Sequence, residues 1–509
     1  MKSKIGFASL LFMFATLLLK VSALIRDMVI AYFFGGSYVA DAYLAAFILP
    51  NMIILFLMTG MKNAFVPSYI QALEYKKESH HLNQVFKGTI FFSFILSLVG
   101  IISARSYIPA LFPEFNPATQ EIAIYVSIIL FASITFVGMN AVLSAYFDAI
   151  HKYTYSVISQ NIVVISTILG ALLFADNISV YSLAFGYLAG TVLAFLYKLS
   201  LLIPKNVIQV KEKLNLKEIK SFYVVFVPVA LTAAVGQINL FVDNVFASYF
   251  GEGAVTFINY AKTLVHFPQA IFGVTIGTVV FPILSKAIAE NQQRLFKEGI
   301  ERGLTAMFYI LLPAIVGMMM LMPSIIDLLY ERGAFNHNDT MTTTQVAYYY
   351  FGSVLFFSLH NIVNKGFYTL KKGHLILGIG CIAVILNVLL NFIFTNWIGY
   401  KGIPLASSVM AFCYVLASFI VLYKLTGAIP LKNIGIEFAK VIFSVLVMAA
   451  IIRGALPLTQ EWSDILQIIV ISISGACVYF LCTYILRSRA LQFFIQTIQH
   501  RSGGERNGA

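Results

Sequence analysis

Apolar residues run along this chain in long unbroken stretches, separated by short polar connections, with neither strand-like alternation nor a narrow one-sided helical stripe. Stretches of bilayer-crossing length fall at about 5–34, 40–72, 86–108, 119–149, 154–175, 178–202, 219–249 and 255–285. Six more follow at about 299–330, 340–369, 374–396, 402–425, 434–454 and 463–486. In lipid, a single segment satisfies its own backbone amides only as a helix. The pattern therefore predicts an all-α polytopic membrane protein with fourteen transmembrane helices. Several stretches exceed what a bilayer needs, so tilt or extension past the membrane is expected. Pro50, Pro228, Pro268 and Pro313 should kink or break theirs.

Part of the pattern occurs twice. Asp27, Ala31, Phe34 and Gly35 recur as Asp243, Ala247, Phe250 and Gly251, and Leu49-Pro50 and Val66-Pro67 are echoed by Phe267-Pro268 and Phe281-Pro282. A carboxylate near mid-bilayer costs roughly 2.5–3.5 kcal/mol on insertion scales. Carrying it twice in matching places points to two bundles around a polar cavity, as in transporters. The offset is one six-span unit. Six is even, so the fold predicts two pseudo-symmetric six-helix lobes of one orientation plus two C-terminal helices. The divisions are a lobe at 1–203, a Lys/Glu-rich linker at 204–218, a second lobe at 219–427, two extra spans at 428–487 and a polar tail at 488–509.

Composition agrees: 60% of the residues are hydrophobic and only 11% charged, against about 25% charged in ordinary globular domains. The net charge of +12 could point to nucleic acid. The cations instead sit in short loops, without the basic stripe of a nucleic-acid binder. One set of connections holds Lys76, Lys77, Lys152, Lys198, Lys205, Lys211, Lys297, Arg302, Lys371 and others, and both termini belong to it. The alternate set holds Arg105, Arg332, Lys401 and Arg453. This bias puts both termini in the cytoplasm. The first apolar run carries Lys20, Arg26 and Asp27 without a small-residue cleavage site before them, so it reads as a retained span. Cys381, Cys413, Cys477 and Cys482 lie in apolar segments and read as packing residues, not a disulfide framework.

Five cations remain inside predicted spans: Lys20, Arg26, Lys62, Lys262 and Lys365. Lys20 and Asp27 are seven apart and share a helical face, with Arg26 to one side of it. These three either pair internally to hold helices or form a cationic wall for an anionic head group, and three charges exceed what structure needs. Asp41 opens the second span, as a helix-start acid or a gating residue. Lys62 contacts substrate or snorkels to the interface. In the second copy, Lys262 and His266 share a face, and His266 reads best as a hydrogen-bonded interhelical histidine. Asn387 and Asn391, also four apart, bridge helices or join Asp243 as hard oxygen ligands for a small cation. Asp148 and Lys365 lie near the inner boundary and read as snorkelling charges. No phosphate-binding loop, His/Cys metal spacing or nucleophile elbow occurs, so neither an ATP-driven pump nor an enzyme is expected. The energy source is then an ion gradient, the membrane potential or the substrate gradient.

The stretches Ile25-Arg26-Asp27 to Ala40-Asp41-Ala42-Tyr43, Leu49-Pro50-Asn51 and Ala64-Phe65-Val66-Pro67 resemble the MurJ/MviN family of lipid II flippases. In the second half, Phe246-Ala247-Ser248 through Tyr260-Ala261, His266-Phe267-Pro268 and Gly277 to Pro282 match as well. The resemblance covers nearly the whole chain. It implies a bacterial plasma-membrane flippase in cell-wall synthesis, moving undecaprenyl-diphosphate-linked peptidoglycan precursor (lipid II) by alternating access. It places substrate contacts at Lys20 and Arg26, with Lys62 and Lys262 as substitutes for family arginines, and a cavity-edge acid at Asp41. It also implies a sodium site at Asp243, Asn387 and Asn391, with Ser407 as a further ligand, and no other cofactor. Membrane lipids and cell-wall synthesis proteins are the implied partners. The chain departs from the family at Ile54, Leu55 and Thr263, where typical members carry arginine. Lysine is a point charge rather than a fork and grips a diphosphate differently. That leaves room for a flippase of another polyprenyl-linked saccharide. A drug exporter would lack the cationic patch, and a non-transporting scaffold would tolerate its loss.

Overall fold

The computed structural model describes residues 2–203, 213–235, 237–427, 429–459 and 461–492. Most of the linker expected at 204–218 and of the tail expected at 488–509 lies outside the described residues. Sixteen α-helices among the described residues fall on the fourteen predicted segments. Six unbroken helices come first: α1 (Lys2–Phe34), α2 (Tyr38–Glu74), α3 (Glu78–Leu111), α4 (Pro117–Ala149), α5 (Tyr153–Ile178) and α6 (Tyr181–Leu202). The seventh segment divides into α7 (Leu216–Val235) and α8 (Ile238–Ala247), and the eighth into α9 (Ala254–Val265) and α10 (Val274–Ala289). Then come α11 (Gln293–Tyr330), α12 (His337–Thr369), α13 (Gly373–Ile398), α14 (Gly402–Thr426), α15 (Leu431–Ala455) and α16 (Asp464–Ile485). Ten helical stretches among the described residues, α13 and α14 taken together, are long and apolar enough to cross a membrane. The protein is a multi-pass membrane protein.

The prolines divide into two groups. The eighth segment breaks next to Pro268, where a π-turn at Gln269–Gly273 separates α9 from α10. By contrast, α2, α7 and α11 continue as helix through Pro50, Pro228 and Pro313. Packed spans tolerate this because neighbouring helices and local adjustments satisfy the freed backbone groups.

Polarity runs inside-out, as expected for a protein dissolved in lipid. On α13, Ala383, Asn387, Asn391 and Thr395 recur every fourth residue and are buried, while Ile382, Ile385, Leu389 and Phe392 face outward. The polar stripe turns to protein and the apolar one to the acyl chains.

The chain packs into two compact units: residues 1–256 with 332–336, and residues 257–331 with 337–509. In the first unit, α7 lays Phe226 and Ala230 against Leu57, Met61 and Phe65 of α2 in one apolar core. α5 and α6 approach so closely that a side chain on Gly186 would meet the Ser166 carbonyl at 2.7 Å, the small-residue contact that brings membrane helices together. In the second unit, α15 and α16 dock on α11. Phe308 stacks on Phe438 at 3.9 Å, and the Tyr479 hydroxyl donates to the Tyr309 carbonyl at 2.7 Å.

Candidate functional site

The duplicated turns meet one another inside the first unit. Asp41, in the first turn of α2, is buried and accepts from the Gly253 amide at 2.6 Å, the Thr256 amide at 2.8 Å and the Thr256 hydroxyl at 2.6 Å. It thereby caps the start of α9, satisfying amides that no helix can satisfy for itself. In return, Glu252 Oε1 accepts from the Tyr38 amide at the start of α2, at 3.0 Å. Asp41 is thus neither a simple start-of-own-helix acid nor a free charge. It caps another helix. The turn between α1 and α2 is pinned again at Gly35, whose φ of +53° suits glycine. A Cβ there would lie 2.4 Å from the Ala334 carbonyl oxygen, and Ala334 donates its amide to the Tyr32 carbonyl at 2.8 Å.

The first unit also encloses a cavity of about 440 Å³ lined from α1, α2, α4, α5 and α6. Arg26, Lys62 and Lys198 reach it, together with Asn51, Asn140, Ser144, Asp148 and Gln160. Two of these cations are held by carboxylates. Arg26 donates through Nε and Nη2 to Oδ1 of Asp27 at 3.1 and 2.8 Å. Lys62 Nζ lies 3.0 Å from Asp148 Oδ2, and Ser156 donates to Asp148 Oδ1 at 3.1 Å. Lys198, read from sequence as a loop cation, is instead 1% exposed inside α6. Its ammonium donates to Asn140 O and Oδ1, each at 3.1 Å, and to Ser144 Oγ at 2.6 Å. Three basic side chains and one acid, Asp148, thus line the cavity, with Asp27 paired to Arg26. Ile54 and Leu55 line the same wall as apolar residues.

Lys20 is exposed on α1 while Asp27 is buried, so their shared helical face does not give them one environment. Lys198, Asn140 and Asp148 carry much of the cavity's polarity, a role that position along the sequence does not assign to them. A signal is present nonetheless: Asn140, Ser144 and Asp148 recur every fourth residue along α4, a polar stripe in an apolar helix.

Asp243 lies buried in α8 of the first unit, while Asn387, Asn391 and Ser407 are buried on α13 and α14 of the second. Asn391 Nδ2 donates to Asn387 Oδ1 at 3.4 Å. No group of three His, Cys, Asp or Glu side chains suited to a metal occurs among the described residues; the amide and hydroxyl oxygens on α13 and α14 are hard donors of the kind a small cation takes. Also in the second unit, Lys262 Nζ lies 5.7 Å from the centre of the Tyr350 ring. His266 bridges Gln269 Oε1 at 2.8 Å and Ser353 Oγ at 3.3 Å. Thr263 is exposed beside them, and Lys365 lies over Phe281.

A family model described as lipid II flippase MurJ matches residues 30–473. The probable lipid II flippase MurJ of Vibrio cholerae is 27% identical over 416 residues, covering 78% of this chain and 79% of that protein. The lipid II flippase MurJ of Burkholderia cenocepacia is 28% identical over 426 residues, covering 80% and 82%. A solved structure of lipid II flippase MurJ in an inward closed conformation superposes with a TM-score of 0.80 at 25% identity, covering 94% of this chain and 98% of that one. An inward-facing MATE family transporter shares the fold alone, with a TM-score of 0.68 at 16% identity and coverage of 81% and 96%. The chain belongs to the MurJ family of lipid II flippases.

Proposed function

We propose that this protein carries lipid II, an undecaprenyl-diphosphate-linked saccharide, from the inner to the outer leaflet of the bacterial cytoplasmic membrane by alternating access. The observation that carries this reading is the cavity on which Arg26 and Lys62 converge, each resting on a carboxylate. A diphosphate offers oxygen acceptors to both a guanidinium and an ammonium and replaces the carboxylates they hold in its absence. Ile54 and Leu55 leave the middle of the cavity wall apolar, so the grip on the head group relies on fewer forks and more point charges.

Both termini face the cytoplasm in this reading, consistent with the sorting of Lys and Arg among the connections. The reciprocal caps at Asp41 and Glu252 then lie at the outer end of the first unit and hold that end shut while the substrate enters from inside. Sodium is the proposed coupling ion, with oxygens of Asn387, Asn391 and Ser407, all buried in the second unit, as its donors. Such a set matches a hard monovalent cation.

Expression in a strain depleted of its lipid II flippase tests the assignment, with lipid II on the outer leaflet as readout. Growth and restored exposure are expected. Intact protein in the membrane without restored exposure would overturn it.

A further inference from the structure

Lys198 does something the cavity's other cations do not. A lysine ammonium has three hydrogens to donate, and here all three are taken, by two oxygens of Asn140 and one of Ser144 on α4. With its donors spent and only 1% of the residue exposed, it is not placed to grip a ligand directly. Asp148 lies one turn beyond Ser144 on α4, and Ser156 joins the two, its hydroxyl lying 3.1 Å from both the Ser144 carbonyl and Asp148 Oδ1.

The Lys62–Asp148 pair is lopsided. The Lys62 side chain is 61% exposed and the Asp148 side chain 10%. The cation can therefore swing away into the cavity, while the carboxylate cannot follow it to water. A buried carboxylate abandoned by its partner is strongly disfavoured, so a lone Lys62–Asp148 pair would hold Lys62 in place. The Arg26–Asp27 pair joins adjacent residues of one helix, an arrangement that needs no separation across helices.

We propose that Lys198 is a positioning residue that keeps Asp148 compensated when Lys62 leaves it, so that Lys62 is free to be handed to an anionic head group. Lys62 is the mobile contact, Asp148 its resting place and Lys198 the fixed charge that makes the exchange reversible. This rests on the flippase reading of the cavity and assigns roles within it.

The test measures binding of undecaprenyl diphosphate to the purified full-length protein in nanodiscs, with thermal unfolding as the check on folding. Lys198→Met is expected to weaken binding at least tenfold, because Lys62 then stays on Asp148. In a Lys62→Met background the same substitution is expected to change binding less than twofold, which a purely structural Lys198 would not produce. Asp148→Asn, which keeps the Asn140 and Ser144 contacts of Lys198, is expected to bind at least threefold tighter by releasing Lys62. The Asp148→Asn, Lys198→Met double variant, in which no carboxylate is left to hold Lys62, is expected to bind within twofold of Asp148→Asn.

Unchanged binding in a folded Lys198→Met variant would overturn the proposal, as would an equal loss with and without Lys62. If Lys198→Met does not fold, weaker or unchanged binding in Asp148→Asn overturns it alone. Binding indifferent to Lys62 itself would instead remove the head-group assignment of the cavity, and this inference with it.

Discussion

Asp41 and Thr256 are 215 residues apart in sequence and share two hydrogen bonds, the carboxylate accepting from both the amide and the hydroxyl of the threonine. With the Gly253 amide added, one side chain at the start of α2 supplies the cap for the start of α9. The two helix starts belong to the two copies of the repeated hairpin.

Asp41→Ala strands those amides in a buried place, at a cost of about 2–3 kcal/mol. A clear fall in melting temperature of the detergent-purified protein is expected. The returning cap from Glu252 is exposed, so Glu252→Gln should change stability by no more than about 0.5 kcal/mol.

The equivalent turn glycines should respond unequally. Gly251 has a φ of +86° and open space for 4 Å around the point a Cβ would occupy, whereas a Cβ on Gly35 would strike the Ala334 backbone. Gly251→Ala should cost only the backbone penalty of a region that essentially glycine alone occupies, about 1–3 kcal/mol. Gly35→Ala should cost more, read as a lower melting temperature and lower yield in the membrane.

Arg26→Ala should abolish outward movement of lipid II in a leaflet-protection assay while the protein still inserts. Because it also leaves Asp27 without its partner, a loss of about 1–3 kcal/mol in stability should accompany it. Adding Asp27→Asn should restore the stability and leave transport absent, which separates the two effects. Arg26→Lys, a point charge in place of a fork, should fall between.

Sodium binding to the native state would raise the melting temperature by mass action. Exchanging potassium for sodium at constant ionic strength should therefore stabilise the unaltered protein and leave Asn387→Leu unmoved. Equal melting in both salts would count against sodium as the coupling ion.

Much of the fold is legible in the sequence because apolar length is a local property. Each of the fourteen predicted stretches carries helix, and the break at Pro268 falls where proline chemistry places it. Pro50 and Pro313 do not break theirs, since packing against neighbours decides whether freed carbonyls find partners. The site is less legible for the same reason. Lys198 sits one turn before the end of α6 and so counts as a loop charge by position alone; it is Asn140 and Ser144, 58 and 54 residues away, that receive it as a buried one. Lys20 and Asp27 share a helical angle yet differ in burial, because burial depends on what lies opposite. The pairing of Lys62 with Asp148 bridges α2 and α4, a contact no spacing rule contains. Asp41 is recognisable as a special carboxylate, but the amides it serves lie on the far copy of the repeat.

The traded caps also determine how that end of the first unit comes apart. Each carboxylate rides with one helix start and serves the other, so drawing the two turns apart takes both acceptors away in a single movement. The two caps are therefore lost together when the turns separate, with the buried Asp41 cap carrying more of the hold than the exposed Glu252 one.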